Sequence, residues 1–345
     1  YRLSSVADSL GNLKNYTYDK AGQLATKENA RGDLANFTYD AAGQLTSMTD
    51  ELGTISYTYD KNGNLLTVTD ESGTITREYD KRNLLVAYTD AAGNQIGYAY
   101  DELGNLITLT YPDGTAVHYS YDKTGLLISM TDDQNRVTKY TYDANGNLIQ
   151  TLRPDGSTET IVRDKAGKML SKKDVGSDGV IYEATYTYDA SGNIVSLTSA
   201  NSLSALDFEE TEMEYDSANR LIKWNGFSLV YDADGNMTYG PLNGKMESYV
   251  YDCRNRLVRA GDTSYTYDAE NNRIGVFTLK EKTTYVVDSS SSLTQTILSV
   301  SYLSKAADGV YSETGIQTKY YYGNGLAAQS DSINGYLTYH FDHLG

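Results

Sequence analysis

One dipeptide, Tyr-Asp, recurs along this chain at near-constant spacing, and that recurrence limits the available folds more than any other feature. It occurs at Tyr18-Asp19, Tyr39-Asp40, Tyr59-Asp60, Tyr79-Asp80, Tyr100-Asp101, Tyr121-Asp122 and Tyr142-Asp143. It returns at Tyr188-Asp189, Tyr215-Asp216, Tyr231-Asp232, Tyr251-Asp252 and Tyr267-Asp268, and Arg163-Asp164 fills the one gap. The first eight units are 20 or 21 residues apart; the later spacings are 25, 27, 16, 20 and 16. A fixed period of this length marks a repeat array, which grows in one dimension and escapes the usual relation between length and domain number.

Each unit reads Tyr-x-Tyr-Asp-x-x-Gly-x-Leu, as in Tyr57 to Leu65. The alternation before Asp60 has period two and predicts a strand with both tyrosines on one face. Asp-x-x-Gly then fits a three-residue hairpin: a type I turn followed by a left-handed residue that makes a G1 bulge. Aspartate suits the first position because its carboxylate accepts local backbone N–H groups. The last position is Gly in nine units and Asn in four, at Asn83, Asn219, Asn255 and Asn271. Asn is the residue that best tolerates the left-handed region after Gly, so backbone geometry accounts for the choice.

This turn sets a register in which Asp60 opposes Asn64 and Tyr59 opposes Leu65. The residues expected to carry the architecture are therefore Tyr18, Asp19, Gly22 and Leu24; Tyr39, Asp40, Gly43 and Leu45; and Tyr59, Asp60, Gly63 and Leu65. They continue with Tyr100, Asp101, Gly104 and Leu106; Tyr121, Asp122, Gly125 and Leu127; and Tyr142, Asp143, Gly146 and Leu148. A second turn lies half a repeat away, at Asp50 to Gly53, Asp70 to Gly73, Asp90 to Gly93 and Asp132 to Asn135, with Pro at an early position in Pro112-Asp-Gly114 and Pro154-Asp-Gly156. Strands of about six residues follow.

The 33 Tyr, 30 Gly and only 3 Pro in 345 residues agree with a turn-rich β-protein. The expected fold is all-β: tandem antiparallel hairpins forming one long coiled sheet, a partial spiral shell. Residues 1–180 read as regular repeats, 181–270 as irregular repeats and 271–345 as a degenerate segment of the same array. Within the last, Thr284 to Asp288 reads as a decayed unit, Ser289 to Ser292 as a polar loop, and Leu293 to Leu303 and Gly315 to Tyr322 as longer strands. Both ends read as cut from something longer. Raw terminal strands invite edge pairing, so a dimer through those ends is expected.

A formal net charge of −17 sets nucleic acid and anionic lipid aside as partners. The single cysteine, Cys253, allows no internal disulfide. No window reaches the roughly 18 apolar residues of a membrane span.

Catalytic and metal-binding readings find little support. The repeated aspartates all sit where a turn explains them, whereas glycoside hydrolysis needs two carboxyls of differing pKa across a cleft. Asp232-Ala-Asp234-Gly-Asn236 looks like a calcium loop but has Asn243 where an EF-hand carries its last Glu. His340 and His343 flank Asp342 yet would face opposite sides of a strand. His118 and Trp224 read as structural. No catalytic residue, cofactor or metal is expected. Exposed tyrosines could stack on sugars, but tyrosines opposite leucines fit a cross-strand ladder better.

The Tyr-Asp-x-x-Gly-x-Leu units resemble the YD-repeat, or RHS-repeat, family over nearly the whole chain. The stretches Tyr251 to Leu257, Tyr267 to Ile274 and Tyr339 to Gly345 look like the approach to that family's core segment. The resemblance implies a β-shell of the kind found in bacterial RHS toxins, in the C components of insecticidal toxin complexes and in teneurins. It implies a structural role in a secreted or cell-surface bacterial protein: a wall that encloses or presents an adjacent or C-terminal polypeptide. The family's self-cleavage motif has no counterpart here, because the sequence contains no Asp-Pro. The length implies an open partial shell. The alternative function is a carbohydrate-binding adhesion module.

Overall fold

In this computed structural model, the structure describes residues 2–199, 210–290, 294–305, 310–312 and 315–341. Thirty-four strands and no helix occur among them. Nineteen successive strands, from Ser5–Ala7 to Ile194–Ser199, lie in one antiparallel sheet. The all-β hairpin array expected from the sequence is the fold that forms.

The chain divides into two compact units. The first combines Tyr1–Gln95 with Glu209–Gly315, and the second combines Ile96–Phe208 with Ile316–Gly345. In the first, strands from Ser5–Ala7 to Leu85–Thr89 pair consecutively. Its later part is built from shorter hairpins between Met213–Tyr215 and Arg273–Phe277 and from the long pair Glu281–Asp288 and Gln295–Lys305. In the second, strands from Gln95–Tyr100 to Ile194–Ser199 form a second consecutive ladder, followed by Ile316–Gly323, Gly325–Asp331 and Gly335–Thr338. The strand expected at Leu293 to Leu303 thus runs Gln295–Lys305, and that expected at Gly315 to Tyr322 runs Ile316–Gly323. Thr284 to Asp288 ends the strand Glu281–Asp288. Of the polar loop, residues 291 and 292 lie outside the described residues.

The Tyr-Asp turn closes as its sequence requires. In the Asp60 unit, Gly63 N–H donates to the Asp60 carbonyl (3.1 Å) and Asp60 N–H to the Asn64 carbonyl (2.9 Å), a type I turn with a G1 bulge. Gly63 has φ 90°, and the four Asn replacements have φ between 60° and 67°. The second column of turns mixes two kinds. Asp90 to Gly93 repeats the three-residue form, whereas Asp50 pairs directly with Gly53 and Asp70 with Gly73 across two-residue loops.

Tyr59 opposes Leu65, the register expected from the turn, but Thr58 opposes Thr67. Leu66 is therefore an extra residue: a second bulge follows the first. The same shift occurs in all thirteen units, for example between Ser120 and Tyr121 and between Thr266 and Tyr267. Two bulges per hairpin increase local strand twist.

One face of each ladder carries the core. In the first unit Ile55, Val68, Ile75 and Tyr88 are buried, and Val68 sits directly opposite Ile75. In the second, Tyr98, Leu109 and Val117 form one cross-strand row and Met130 lies opposite Thr138 in another. The other face is polar. Exposed threonines meet in cross-strand hydroxyl pairs, such as Thr58 with Thr67 at 2.6 Å and Thr69 with Thr74 at 3.0 Å. Alternation of apolar and hydroxyl residues thus assigns each strand's two sides.

Gly63→Ala should lower stability by about 1–2 kcal/mol, because an L-residue with a Cβ disfavours the left-handed region. Asn219→Gly should change it by less than about 1 kcal/mol, because Gly adopts this φ freely. Urea midpoints of the two variants test this; an unchanged midpoint for Gly63→Ala would remove the left-handed requirement from the account.

Candidate functional site

The recurring residues build a single element of local chemistry. In the Asp60 unit, Oδ1 accepts the N–H groups of Asn62 (2.8 Å) and Asn64 (2.9 Å), and Oδ2 accepts Asn64 Nδ2 (2.8 Å). Asp101, Asp143, Asp232 and Asp268 make the same three contacts with their own turns. The residue after Gly or Asn is therefore a working part of the motif that the consensus above left open. Where it is arginine it replaces the amide by an ion pair: Arg220 Nε reaches Asp216 at 2.8 Å and Arg256 Nε reaches Asp252 at 2.7 Å. Each guanidinium also lies 5.0 Å from the ring of the next unit's tyrosine, Tyr231 or Tyr267.

The hydrogen bond from the Asn64 side chain holds the Asp60 carboxyl below its ordinary value, and the corresponding Asn does the same at Asp101, Asp143 and Asp189. Asp268 differs: burial pushes its carboxyl up.

The tyrosine does a second job. Pairing between successive hairpins stops short of the Tyr-Asp tip; between the second and third hairpins its last registered pair is Ser47 with Ser56. Beyond that point these two strands no longer pair with each other, and the Tyr59 hydroxyl donates to the Leu45 carbonyl at 3.0 Å. Tyr39 does the same to Leu24, Tyr79 to Leu65, Tyr121 to Leu106, Tyr142 to Leu127, Tyr188 to Met169, Tyr231 to Leu221 and Tyr267 to Leu257, at 2.6–3.1 Å. Every acceptor is the Leu-position residue of the preceding unit. Burial raises the pKa of Tyr39, Tyr59, Tyr79 and Tyr121, as expected for phenols withdrawn from water.

Residues 25–162 and 164–288, more than half of the chain, match the Teneurin YD-shell family. The chain belongs to the teneurin YD-shell family. No curated protein matches it in sequence. The fold is similar to that of the Tc holotoxin pore of Photorhabdus luminescens, with a TM-score of 0.60 at 15% identity, covering 95% of this chain and 22% of that one. The TcdB2–TccC3 structure without its hypervariable C-terminal region gives a TM-score of 0.62 at 14% identity, covering 93% of this chain and 22% of that one. At these identities the likeness is one of fold, and this chain spans about a fifth of the length of those proteins.

Within each unit of this YD-shell, late residues anchor on the early ladder. In the first unit Arg31 meets Asp232 (3.3 Å) and Asp234 (3.2 Å), Arg254 meets Asp50 (2.6 Å) and Arg77 meets Glu270 (2.6 Å). The calcium-like loop at Asp232 to Asn236 is thus occupied by this chain's own cations and by the Ala30 N–H. In the second unit the buried row turns ionic. Arg153 contacts Asp174 (3.1 Å) and Glu159 (3.4 Å), Lys172 contacts Glu159 (3.1 Å), and His340 Nδ1 lies 2.6 Å from Asp174. Arg153, Glu159 and Lys172 border a cavity of about 540 Å³ also lined by Met169, Leu326, Tyr339 and Phe341. Its charges are spent on one another.

The remaining sequence candidates fall in ordinary places. His118 is exposed and 3.2 Å from Thr108 Oγ1. Trp224 is half-buried opposite Met213 and Phe227. Cys253 is a free thiol whose pKa burial pushes up. Asp342 and His343 lie outside the described residues.

Tyr59→Phe should cost about 0.5–1.5 kcal/mol, because it deletes one donor and leaves the Leu45 carbonyl without it; chemical denaturation measures the loss. Acid should also weaken the fold. The unfolded carboxyls bind protons near pH 3.9, the folded Asp60-type turns only at lower pH. Their stabilisation is complete above the unfolded value and is lost as pH falls through the folded ones, with Asp268 acting in the opposite sense. The melting temperature should therefore hold from about pH 7 to 5 and drop below about pH 4; a midpoint unchanged at about pH 3 would contradict the turn assignment.

Proposed function

We propose that this chain is a non-catalytic wall of a β-shell that encloses or presents another polypeptide in a secreted or cell-surface bacterial protein. The observation that carries the reading is how the repeated residues are used. The carboxylates of the repeat bind their own turn amides, and the repeat tyrosines bind the preceding unit's carbonyl. What the sequence repeats most is thus consumed in holding hairpins together. Family membership and the fold shared with Tc toxin structures support the same reading.

The carbohydrate reading draws on the same tyrosines and is weakened by their engagement in the sheet, although Tyr215 and Tyr239 remain exposed. The two functions separate experimentally. In the full-length protein, a polypeptide enclosed by this wall should resist protease until the denaturant concentration at which the sheet unfolds. Cleavage of that polypeptide at native-like concentrations, with the sheet still intact by circular dichroism, would sink the enclosing role. Saturable glycan-array binding lost on Tyr239→Ala would favour the adhesion module.

A further inference from the structure

The second column of turns contains two with the sequence Pro-Asp-Gly: Tyr111 to Thr115 and Arg153 to Ser157. Both close with the same backbone bonds. The first residue's N–H donates to the fifth residue's carbonyl, and the Gly N–H donates to the first residue's carbonyl, all at 2.8–3.0 Å. In both, the aspartate Oδ1 accepts the fifth residue's N–H: Thr115 to Asp113 at 3.0 Å and Ser157 to Asp155 at 2.9 Å. The two turns are therefore the same frame used twice in one unit.

In the first copy the frame holds a cation. Lys319 Nζ lies 2.7 Å from Asp113 Oδ2, 2.8 Å from Thr115 Oγ1 and 2.9 Å from Asp133 Oδ2. Asp133 belongs to the next turn of the column. Two carboxylates and a hydroxyl, drawn from two neighbouring turns, make the cradle.

The second copy repeats the donors. Asp155 stands for Asp113 and Ser157 for Thr115, and the following turn, here a two-residue loop between Gly176 and Gly179, brings Asp178 where the first copy has Asp133 in a three-residue turn. Asp155, Ser157 and Asp178 line a cavity of about 230 Å³ together with Ser177 and the glycines of that loop. The cation is what changes. Asp155 Oδ2 takes the neutral Thr338 hydroxyl, at 2.7 Å, where Asp113 Oδ2 takes an ammonium. His340, from the same late segment as Thr338, is bonded to Asp174 instead. Ser157 is 2% exposed, and its hydroxyl lies beside Asp155 without a hydrogen bond of good geometry. Thr115 Oγ1, its counterpart, both donates to Asp113 and accepts from Lys319.

We propose that Asp155, Ser157 and Asp178 form a binding site for a hard divalent cation such as calcium. All three offer oxygen, the donor such ions prefer, and water completes the six to eight ligands calcium takes. Asp155 and Asp178 are open to solvent, so a small ion reaches them without a tethered side chain. The net charge of −17 raises the local concentration of divalent cations. A site with two carboxylates and several waters should bind with a Kd of about 10⁻⁴–10⁻³ M.

The test is calorimetric titration of calcium chloride into the chelator-treated chain. One saturable site is expected, weakened about tenfold or more by Asp178→Asn and severalfold by Ser157→Ala. Asp178 is exposed at a hairpin tip, so its replacement should leave the circular-dichroism spectrum and melting unchanged without calcium. Thr338→Lys places an ammonium against Asp155, as Lys319 does at Asp113, and should abolish calcium binding while raising the melting temperature. Absence of binding up to about 10 mM calcium overturns the proposal. So does equal affinity in the parent chain, Asp178→Asn and Ser157→Ala, which would place the ion on other acidic turns. A folded Thr338→Lys variant that keeps full calcium affinity overturns it as well.

Discussion

Near each Tyr-Asp tip a hairpin parts from the one before it, and the carbonyl uncovered by that parting has to find a donor. A backbone oxygen left unpaired in a half-buried sheet costs as much as a lost hydrogen bond. The tyrosine hydroxyl supplies the donor across a gap that backbone pairing does not span. This explains why tyrosine, rather than phenylalanine or leucine, precedes the aspartate. The ring fills the apolar face, and its hydroxyl replaces the missing rung. The aspartate and the left-handed residue then fix the tip so that the ring arrives at the right place.

Those local rules were legible in the sequence. Period-two alternation, an acidic first turn position and the Gly-or-Asn choice at Asn83, Asn219, Asn255 and Asn271 specify the hairpin and its register. They act over a few residues, and each has a direct steric or hydrogen-bonding cause. The extra bulge at Leu66 was not legible, because a bulged and an unbulged strand share the same Tyr-x-Tyr and Leu pattern. Asn64, Asn105 and Arg256 did follow the turn glycine or asparagine visibly, but their role required knowing that Asp Oδ2 still had an open lone pair.

Long-range contacts were illegible for another reason. Arg31 meets Asp232 across two hundred residues, and Glu159 and Lys172 occupy positions that the repeat fills elsewhere with apolar or hydroxyl side chains, such as Val117, Thr138, Leu109 and Met130. Period alone marks these positions as core and says nothing of the charges they carry. A buried ionic row is tolerated only when its members satisfy one another. Here they do, with His340 on the outer side of Asp174.

The tyrosine-to-carbonyl link also has a polarity. In each case quoted above the donor belongs to the later unit and the acceptor to the earlier one. A hairpin emerging from the ribosome therefore finds its acceptor already synthesised and need not wait for sequence still to come. Such an array can lengthen rung by rung in the direction of translation, keeping only its newest edge uncapped. The long-range ion pairs, which join segments made far apart in time, would close last.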